Sequence, residues 1–368
     1  MSATRRAASP RQNPSRLPWP ATFRLGRRIV GDGRPPFLVA ELSANHRQQK
    51  AHALALIDAA ADAGADAIKL QTYTPDTLTL PARTRPFRLG KGLWEGRYLH
   101  DLYREAMTPW EWHAELAAHA RARGLLAFST PFDETAVDFL EREMRPPAYK
   151  IASFEINHLP LLRRVGATGR PVILSTGMAT EPEIATAVQT LRAAGCPALL
   201  LLKCVSSYPA RPADFNLRAI GTLHDRFRAP VGLSDHTLSD EVALGAVALG
   251  ASLIEKHLTL RRDDGGIDAG FSLEPAEFRR MATAVRTLHA ALGADTLGPS
   301  RQDRSQRRFR RSIFVAADVA PGEILTAENL RIVRPADGLD PRHWDEVLGR
   351  RARRRLKAGT PLRQGDWL

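Results

Sequence analysis

The chain has 368 residues, of which 43% are hydrophobic and 25% charged, a composition typical of one large globular domain with a small one. No apolar stretch approaches the roughly 18 residues of a membrane-spanning helix, and no apolar signal region opens the chain. These features predict a cytoplasmic protein without a membrane partner. The two cysteines, Cys196 and Cys204, lack metal-type spacing and are predicted to be reduced thiols.

The formal net charge of +13 is concentrated in two segments. Residues 1–28 hold seven Arg and no acidic residue, and residues 301–311 hold six Arg and one Asp. Basic segments can bind nucleic acid through its phosphates. The N-terminal tail has no recognition motif and no aromatic interleaving, so nucleic acid is not an expected partner.

The chain opens with residues 1–22, which are rich in Arg, Pro and Ser and are predicted to form a disordered basic tail. Residues 23–33 predict a short hairpin. From Phe37 onward, short apolar runs with polar ends alternate with amphipathic helical segments. The predicted strands are Phe37–Leu42, Ala67–Thr72, Leu125–Ser129, Ala148–Ser153, Pro171–Thr176, Ala198–Cys204, Val231–Ser234 and Ser252–His257.

Eight strands that alternate with helices over about 260 residues are typical of a (β/α)8 TIM barrel, an α/β fold. A doubly wound open sheet is the alternative, but no glycine-rich phosphate-binding turn follows the first strand. Capping boxes at Thr108–Glu111 and Thr180–Glu183 predict two helix starts. Helices are predicted to stop at Gly64, Gly124, Gly195 and Gly250.

Two further segments have distinct compositions. The connection between Thr72 and Thr108 is rich in Pro and Gly and too long for a simple loop, which predicts a lid over the barrel mouth. Beyond the barrel domain, residues 23–295, we predict a linker over 296–311. Short strand-like pieces joined by Pro and Gly turns then predict a small, mostly β domain over 312–368.

Polar side chains gather at the predicted carboxyl ends of all eight strands, where barrel enzymes hold their active sites. Lysines with hydroxyl groups suit phosphate and carboxylate groups, to which they donate charge-assisted hydrogen bonds. Two histidines at the ends of neighbouring strands suit a divalent metal ion. The strand-end residues are Glu41, Asn45, His46, Lys69, Gln71, Ser129, Thr130, Lys150, Ser153, Glu155, Ser175, Thr176, Lys203, Ser206, Ser234, His236, Glu255, Lys256 and His257. Histidines predicted to lie on helix surfaces are His52, His113, His119, His224 and His289.

Several stretches resemble the phosphoenolpyruvate-condensing sialic acid synthase family. The resemblance runs from about residue 23 to the C-terminus, where Pro321-Gly322-Glu323 and Val347–Arg350 are similar to the family's antifreeze-like (SAF) domain. The stretches that carry it in the barrel are Ala40–His46, Ile68–Thr74, Leu93–Gly96, Thr108–Trp112, Ser129–Asp133, Tyr149–Glu155, Leu174–Met178, Gly232–Thr237 and Ile254–His257.

The resemblance implies condensation of phosphoenolpyruvate with an N-acylated amino-sugar aldehyde, giving a nine-carbon 2-keto acid and phosphate. It implies catalytic roles for Glu41 and Glu155, either of which would serve as the general base, and for Lys69 and Lys150. It also implies a divalent metal ion, with Mn²⁺ expected before Mg²⁺ or Co²⁺, bound by His236 and His257. The residues implied to bind substrate are Gln71, Thr130, Ser153, Ser175, Ser206, Ser234, Tyr208, Asp268 and Arg311.

The family also implies a domain-swapped homodimer, in which Arg311 reaches an N-acyl group in the partner's barrel. Within the family, Ser206 and three stretches favour 2,4-diacetamido-2,4,6-trideoxy-L-altrose as the sugar. The stretches are Ser43–His46, Gln71–Thr74 and Leu93–Gly96. Two departures, at Arg47-Gln48 and Gly266-Ile267, keep neuraminate or legionaminate synthesis from an N-acetylmannosamine-type sugar open. A metal-dependent barrel aldolase or hydrolase is the alternative from another class.

Overall fold

A computed structural model describes residues 18–368. The chain divides into two compact units, the first ending at Gly293 and the second running from Ala294 to Leu368. Most of the predicted basic tail therefore lies outside the described residues.

The first unit contains the predicted barrel. Eight parallel strands follow one another in chain order around the ring, and the last pairs back with the first, so the sheet has no edge. This confirms the predicted (β/α)8 barrel and excludes the open sheet. The strands are β3 Phe37–Glu41, β4 Ala67–Thr72, β5 Leu126–Pro131, β6 Tyr149–Ile151, β7 Val172–Ser175, β8 Leu199–Cys204, β9 Val231–Asp235 and β10 Leu253–His257.

Helices connect the barrel strands. Their apolar faces pack on the outward-facing strand residues to form the main core. Gly64, Gly124, Gly195 and Gly250 all adopt the left-handed conformation that was predicted to end helices. The helices are α1 Lys50–Asp62, α2 Pro75–Leu78, α3 Leu99–Ala106, α4 His113–Ala122, α5 Glu134–Glu143, α6 Leu159–Gly166, α7 Glu181–Ala193, α8 Ala219–Phe227, α9 Glu241–Ala248 and α10 Pro275–Leu292.

The predicted hairpin forms from β1 Thr22–Leu25 and β2 Arg28–Gly31. Its Phe23, Leu25 and Val30 join a second core cluster with inward-facing barrel residues such as Val39 and Phe128. Along each strand the inward positions change from these apolar residues to polar ones, because side chains two apart share a face. The apolar layer therefore fills one end of the barrel, and the polar layer lines the other.

Trp19 corrects the predicted boundary of the tail. Its side chain is buried, its backbone N–H donates to the Arg228 carbonyl at 2.9 Å, and the Arg192 guanidinium lies 3.9 Å from the ring centroid. Placing the end of the disordered tail at residue 22 was wrong, because packing on the barrel already involves residue 19. A tryptophan within an Arg/Pro-rich segment was the available signal.

One predicted capping box is confirmed and the other is wrong. The Glu183 carboxylate accepts a hydrogen bond from the Thr180 backbone N–H at 2.7 Å, at the start of α7. Thr108 instead places its Oγ1 3.3 Å from His46 Nε2, and α4 begins only at His113. The segment between them forms a single 3-10 turn over Trp110–Trp112.

His113 was predicted to lie on a helix surface, and this prediction was wrong. It is fully buried, with Nε2 2.8 Å from Thr72 Oγ1 and Nδ1 3.2 Å from the Pro109 carbonyl. Burial lowers its pKa to about 4. Both ends of the predicted lid, Thr72 and Pro109, are thus bound to one neutral imidazole.

The second unit is a small domain with its own core. Strands β11 Ser312–Val315 and β12 Leu330–Val333 pair antiparallel, and isolated bridges join the remaining extended pieces. The predicted linker contains helix α11 Arg301–Gln306, and α12 Trp344–Val347 lies further along the chain. The core residues include Ile313, Val319, Leu330 and Leu362. Among residues 18–368, none of the helices combines the length and apolar character needed to span a bilayer.

Candidate active site

A charged cluster lies at the polar end of the barrel. Lys69 Nζ lies 2.8 Å from Glu41 Oε2 and 2.9 Å from Glu255 Oε1, so one ammonium group bridges carboxylates from two strands. Lys150 Nζ lies 3.5 Å from the same Glu255 oxygen, to which Ser234 Oγ donates at 3.1 Å. All these side chains are buried. The fold therefore brings together the two predicted lysines, one predicted catalytic glutamate and a predicted substrate-binding serine.

The charges of this cluster shift the pKa values of its members. Burial would raise the pKa of Glu255, but the ammonium groups of Lys150 and Lys69 override this and lower it to about 2. Burial lowers the pKa of Lys69 to about 7, an effect that Glu255 opposes and Lys150 reinforces. Lys69 and Lys150 are buried and both lie near Glu255. Their ammonium groups could donate charge-assisted hydrogen bonds to a phosphate or carboxylate group.

Glu155, the second predicted catalytic carboxylate, is also buried. Burial raises its pKa to about 7, and the positive charges of Lys150 and Lys69 oppose this only in part. A carboxyl group that titrates near neutral pH is suited to accept and return a proton.

Four buried side-chain oxygens near these groups have no hydrogen-bond partner among the described residues. Buried polar atoms in native proteins are normally paired, so unpaired ones at a polar rim are suited to bind a ligand. They are Thr130 Oγ1, Glu155 Oε2, Ser175 Oγ and Glu255 Oε2.

Gly177 brings the remaining serines together. A Cβ atom built on this residue would overlap the hydroxyl groups of Ser153 and Ser206 and would lie 2.6 Å from Ser153 Cβ. The Gly177 backbone therefore approaches both serines in a way that only glycine permits. Sequence reasoning placed both serines at the site but missed this glycine, because only the fold reveals the close approach.

A second polar group adjoins Glu41 and joins Gln71, predicted to lie beside phosphoenolpyruvate, to Asp268, predicted to contact the sugar. Gln71 Nε2 donates to Ser43 Oγ at 3.0 Å, and the Ser43 hydroxyl donates to the buried Asp268 carboxylate. Burial raises the pKa of Asp268, which Ser43 opposes. Ser43 was not among the predicted site residues, although it stands two positions after Glu41.

The two predicted metal ligands meet at the same rim. The ring centroids of His236 and His257 are 5.2 Å apart, and the Tyr208 ring lies 4.5 Å from that of His236. Tyr208 also packs against Phe271 at 5.0 Å and against Trp94 of the predicted lid at 6.1 Å. Because Trp94 Nε1 donates to the Ile267 carbonyl at 3.1 Å, the lid segment contacts the loop that carries Asp268.

The chemistry of these imidazoles fits a divalent ion. His236 Nδ1 lies 2.8 Å from the Val205 carbonyl, an acceptor that requires the proton on Nδ1 and leaves the Nε2 lone pair free. His257 Nδ1 is buried without a hydrogen-bond partner, and burial, followed by the proximity of His236, lowers the His257 pKa. Over residues 18–368, no three His, Cys, Asp or Glu side chains converge as a metal cluster. Burial would lower the pKa of His236, but the neighbouring Cys204 raises it above its usual value. The described residues therefore offer two imidazole ligands, and a metal ion would compete with a proton at His236.

One residue of the cluster had been given no role, and one predicted residue lies outside the barrel unit. Glu255, which contacts Lys69, Lys150 and Ser234, was recognised as a strand-end residue but given no role. Arg311 lies in the second unit, is exposed, and donates through Nη1 to the Ile332 carbonyl at 3.4 Å. Its predicted contact with a partner's substrate stays a prediction.

Comparison with known families identifies the chain. The NeuB family profile matches residues 56–296, and the SAF domain profile matches residues 310–366. The chain belongs to the NeuB family. The barrel and the C-terminal domain of this family member are therefore those that the sequence motifs indicated.

Several relatives of this NeuB family chain match along nearly their whole length. Pseudaminic acid synthase of Campylobacter jejuni is 44% identical over 331 residues, covering 90% of this chain and 96% of that protein. Pseudaminic acid synthase of Helicobacter pylori is 42% identical, covering 90% and 98%. Among solved structures, N-acetylneuraminic acid synthetase of Leptospira borgpetersenii aligns with a TM-score of 0.70 at 34% identity, covering 77% of this chain and 94% of that one.

Proposed function

We propose that this protein condenses phosphoenolpyruvate with 2,4-diacetamido-2,4,6-trideoxy-L-altrose to give pseudaminic acid and phosphate. The observation that carries the proposal is the buried cluster of Lys69 and Lys150 around Glu255, to which the Ser234 hydroxyl donates, at the polar end of the barrel. The two pseudaminic acid synthases that match this chain at 42–44% identity support this choice of sugar.

Phosphoenolpyruvate supplies the anionic groups that this cluster suits. Lys69 and Lys150 would pair with its carboxylate and phosphate, and hydroxyl donors would complete the hydrogen bonding of its oxygens. These donors are Thr130, Ser153, Ser175, Ser206 and Ser234.

The reaction forms a carbon–carbon bond and replaces the C2–O bond to phosphate with a C2–O bond to the oxygen of water. The enol carbon C3 of phosphoenolpyruvate attacks the sugar aldehyde, whose oxygen takes up a proton to become a hydroxyl, and positive charge develops at C2. Water adds at C2 and loses one proton, which balances the proton taken up by the aldehyde oxygen. The C2 hydroxyl then loses its remaining proton to the departing phosphate, which leaves a 2-keto acid. Glu41 and Glu155 would stabilise the cation, and Glu155, with a pKa of about 7, suits the proton transfer.

A divalent metal ion, Mn²⁺ before Mg²⁺ or Co²⁺, would be held by His236 and His257. When bound, it would act as a Lewis acid on the sugar aldehyde. The remaining ligands would come from substrate or water, because the described protein side chains supply only this pair.

Asp268 and Tyr208 would contact the sugar chain. We propose a cytoplasmic homodimer in which Arg311 of one subunit approaches the N-acyl group held in the other. The exposed position of Arg311 is compatible with such a contact.

The test is a substrate panel with product mass spectrometry. Phosphate release is measured with phosphoenolpyruvate, Mn²⁺ and either the diacetamido-trideoxy altrose, its legionaminate-type counterpart or N-acetylmannosamine. The proposal expects efficient release and a nine-carbon acid only with the altrose sugar. Preference for N-acetylmannosamine would instead make the protein a neuraminate synthase, and phosphate release from none of the three sugars would reject the synthase assignment.

Replacement of Gly177 by alanine tests the serine cradle. The new methyl group would push against Ser153, and rotating that hydroxyl would not relieve the contact at Ser153 Cβ. The KM for phosphoenolpyruvate should rise at least about tenfold, equivalent to about 1.4 kcal/mol, while the KM for the sugar changes little. Gly221→Ala, which has open space around it, is the matched control. Equal KM values in Gly177→Ala and wild type would place phosphoenolpyruvate elsewhere.

His236→Ala tests the metal assignment. The variant should retain its melting temperature and lose the Mn²⁺-dependent part of turnover, by about 10²-fold or more, since a Lewis acid contributes several kcal/mol. Activity is followed with added Mn²⁺ after chelation. The matched control is His289→Ala, a half-buried histidine near the end of α10. Metal-dependent turnover at the wild-type rate in His236→Ala would remove this residue from the metal site.

A further inference from the structure

An ion pair lies behind the two histidines, on the outward side of the barrel wall. Lys256 Nζ is 2.9 Å from Asp235 Oδ2, and the side chains are 1% and 0% exposed. Asp235 directly precedes His236, and Lys256 directly precedes His257. Because strand residues alternate between faces, the pair points away from the active site.

This pair stands in an apolar layer. Leu233 and Ile254, two positions earlier on the same strands, belong to the core between barrel and helices. Removing two charges from water carries a desolvation cost that their attraction often fails to exceed, so an apolar pair would stabilise this layer at least as well. A contribution to folding stability therefore does not explain why this layer contains the charged pair Asp235 and Lys256.

The pair instead fixes the backbone next to the imidazoles. Lys256 Nζ donates to the Thr237 carbonyl at 2.5 Å and to the Ser239 carbonyl at 3.0 Å. Asp235 Oδ1 accepts from the Thr237 N–H at 2.9 Å. The turn that follows His236 is thereby bound to the residue before His257.

The strand register extends this connection to the imidazoles. Asp235 and Lys256 are direct cross-strand partners, and their successors along the chain are His236 and His257, whose ring centroids lie 5.2 Å apart. The His236 ring is held independently by the Val205 carbonyl. The contact with Val205 does not set the distance between the backbone at His236 and the backbone at His257.

We infer that Asp235 and Lys256 are positioning residues that set the spacing of His236 and His257 for one divalent ion. The inference rests on the proposed metal site and extends it. Residues that orient metal ligands from behind typically change metal affinity by 10- to 100-fold when replaced. Both side chains of the pair lie on the outward side of the barrel wall, away from the proposed metal site.

The test removes both charges together, in Asp235→Leu/Lys256→Met, so that no unpaired charge is left buried. Mn²⁺ affinity is measured by calorimetry on the full-length protein without substrates, and the melting temperature is recorded. We expect a dissociation constant raised about 10- to 100-fold, at a melting temperature near that of wild type. The control is Arg280→Met, which breaks the more exposed pair with Asp240 next to the same turn and should leave Mn²⁺ affinity unchanged.

The possible results separate the positioning role of Asp235 and Lys256 from the metal site and from the proposed reaction. Wild-type Mn²⁺ affinity in a folded double variant would overturn the inference and leave the proposed function standing. A wild-type protein that binds no Mn²⁺ would overturn the metal site and the inference together, whereas phosphate release judges the synthase reaction separately. If the double variant does not fold, Asp235→Asn/Lys256→Met is tested instead, because asparagine has nearly the shape of aspartate. The same rise in the Mn²⁺ dissociation constant is expected for it. Failure of both to fold would mark the pair as a folding requirement and reject the positioning role.

Discussion

Replacing Lys150 with alanine is expected to lower kcat/KM for phosphoenolpyruvate by about 10³-fold, equivalent to about 4 kcal/mol. Lys150 is almost fully buried and lies 3.5 Å from Glu255. Removing one member of a buried charge pair costs about 2–5 kcal/mol because its partner is left without compensation. The loss should be largest in KM for phosphoenolpyruvate and is measured as phosphate release under saturating sugar.

The matched control for Lys150→Ala is Lys50→Ala, which removes an exposed lysine paired with Glu115 on the helical surface. That pair is solvent-exposed, so its loss should leave turnover within about twofold, in line with the small energies of surface ion pairs. A metal-dependent barrel aldolase or hydrolase, with no phosphoenolpyruvate in its reaction, predicts that Lys150→Ala keeps most of its turnover. That result would contradict the synthase assignment.

Glu155→Gln should lose about 10²- to 10⁴-fold in kcat/KM, the range that general acid–base groups contribute. In the wild type, the pKa of about 7 makes the ionised base available only as pH rises through neutrality. The wild-type profile of kcat/KM, which reports the free enzyme, should therefore rise from pH 6 to about pH 7, above which loss of the Lys69 proton, with a pKa that is also about 7, reverses the trend. The amide cannot ionise, so the residual activity of Glu155→Gln should lack this rise.

The same substitution should make the protein more stable at alkaline pH. The carboxyl titrates near 4.5 in the unfolded chain and near 7 in the folded one, so the folded state binds more protons between these values. Raising the pH through this window destabilises the wild type by roughly 3 kcal/mol. Glu155→Gln lacks this penalty and should exceed the wild type in free energy of unfolding by about that amount at pH 8, with little difference near pH 4.5.

Urea unfolding at pH 4.5 and pH 8 measures this difference in free energy of unfolding. The control is Glu111→Gln, which replaces an exposed carboxylate and should leave the free energy of unfolding unchanged at both pH values. If Glu155→Gln were no more stable than wild type at pH 8, the carboxyl would titrate normally. A variant that kept the wild-type pH profile of kcat/KM would assign the base to another group, with Glu41 as the next candidate.

The histidines show where sequence patterns suffice and where they do not. His236 and His257 were predicted to be neighbours because each ends an apolar run, 21 positions apart (257 − 236), and parallel strands end at one rim. His113 was assigned to a surface because it lies on a predicted helix, yet it is buried against Thr72 and Pro109. Its partner Thr72 stands 41 residues away in the chain, and no local period encodes that contact.

The sequence by itself determined the fold and most of the polar residues at the site. A strand whose residues change from apolar to polar indicates which end of the barrel holds the active site. Eight such strands predict that the polar residues at their ends, among them Lys69, Lys150, Glu41 and Glu155, lie at one rim. This works because strand periodicity and barrel closure are local or topological rules.

Only the tertiary structure decided which groups meet and at what distance. It made Glu255 the partner of both lysines, set Gly177 against two serines, and placed the Asp235–Lys256 pair behind the histidines. It also buried Trp19, which the composition of its segment had assigned to a tail. Such contacts depend on register between strands and on packing between segments far apart in the chain, and neither quantity is a property of any local stretch of residues.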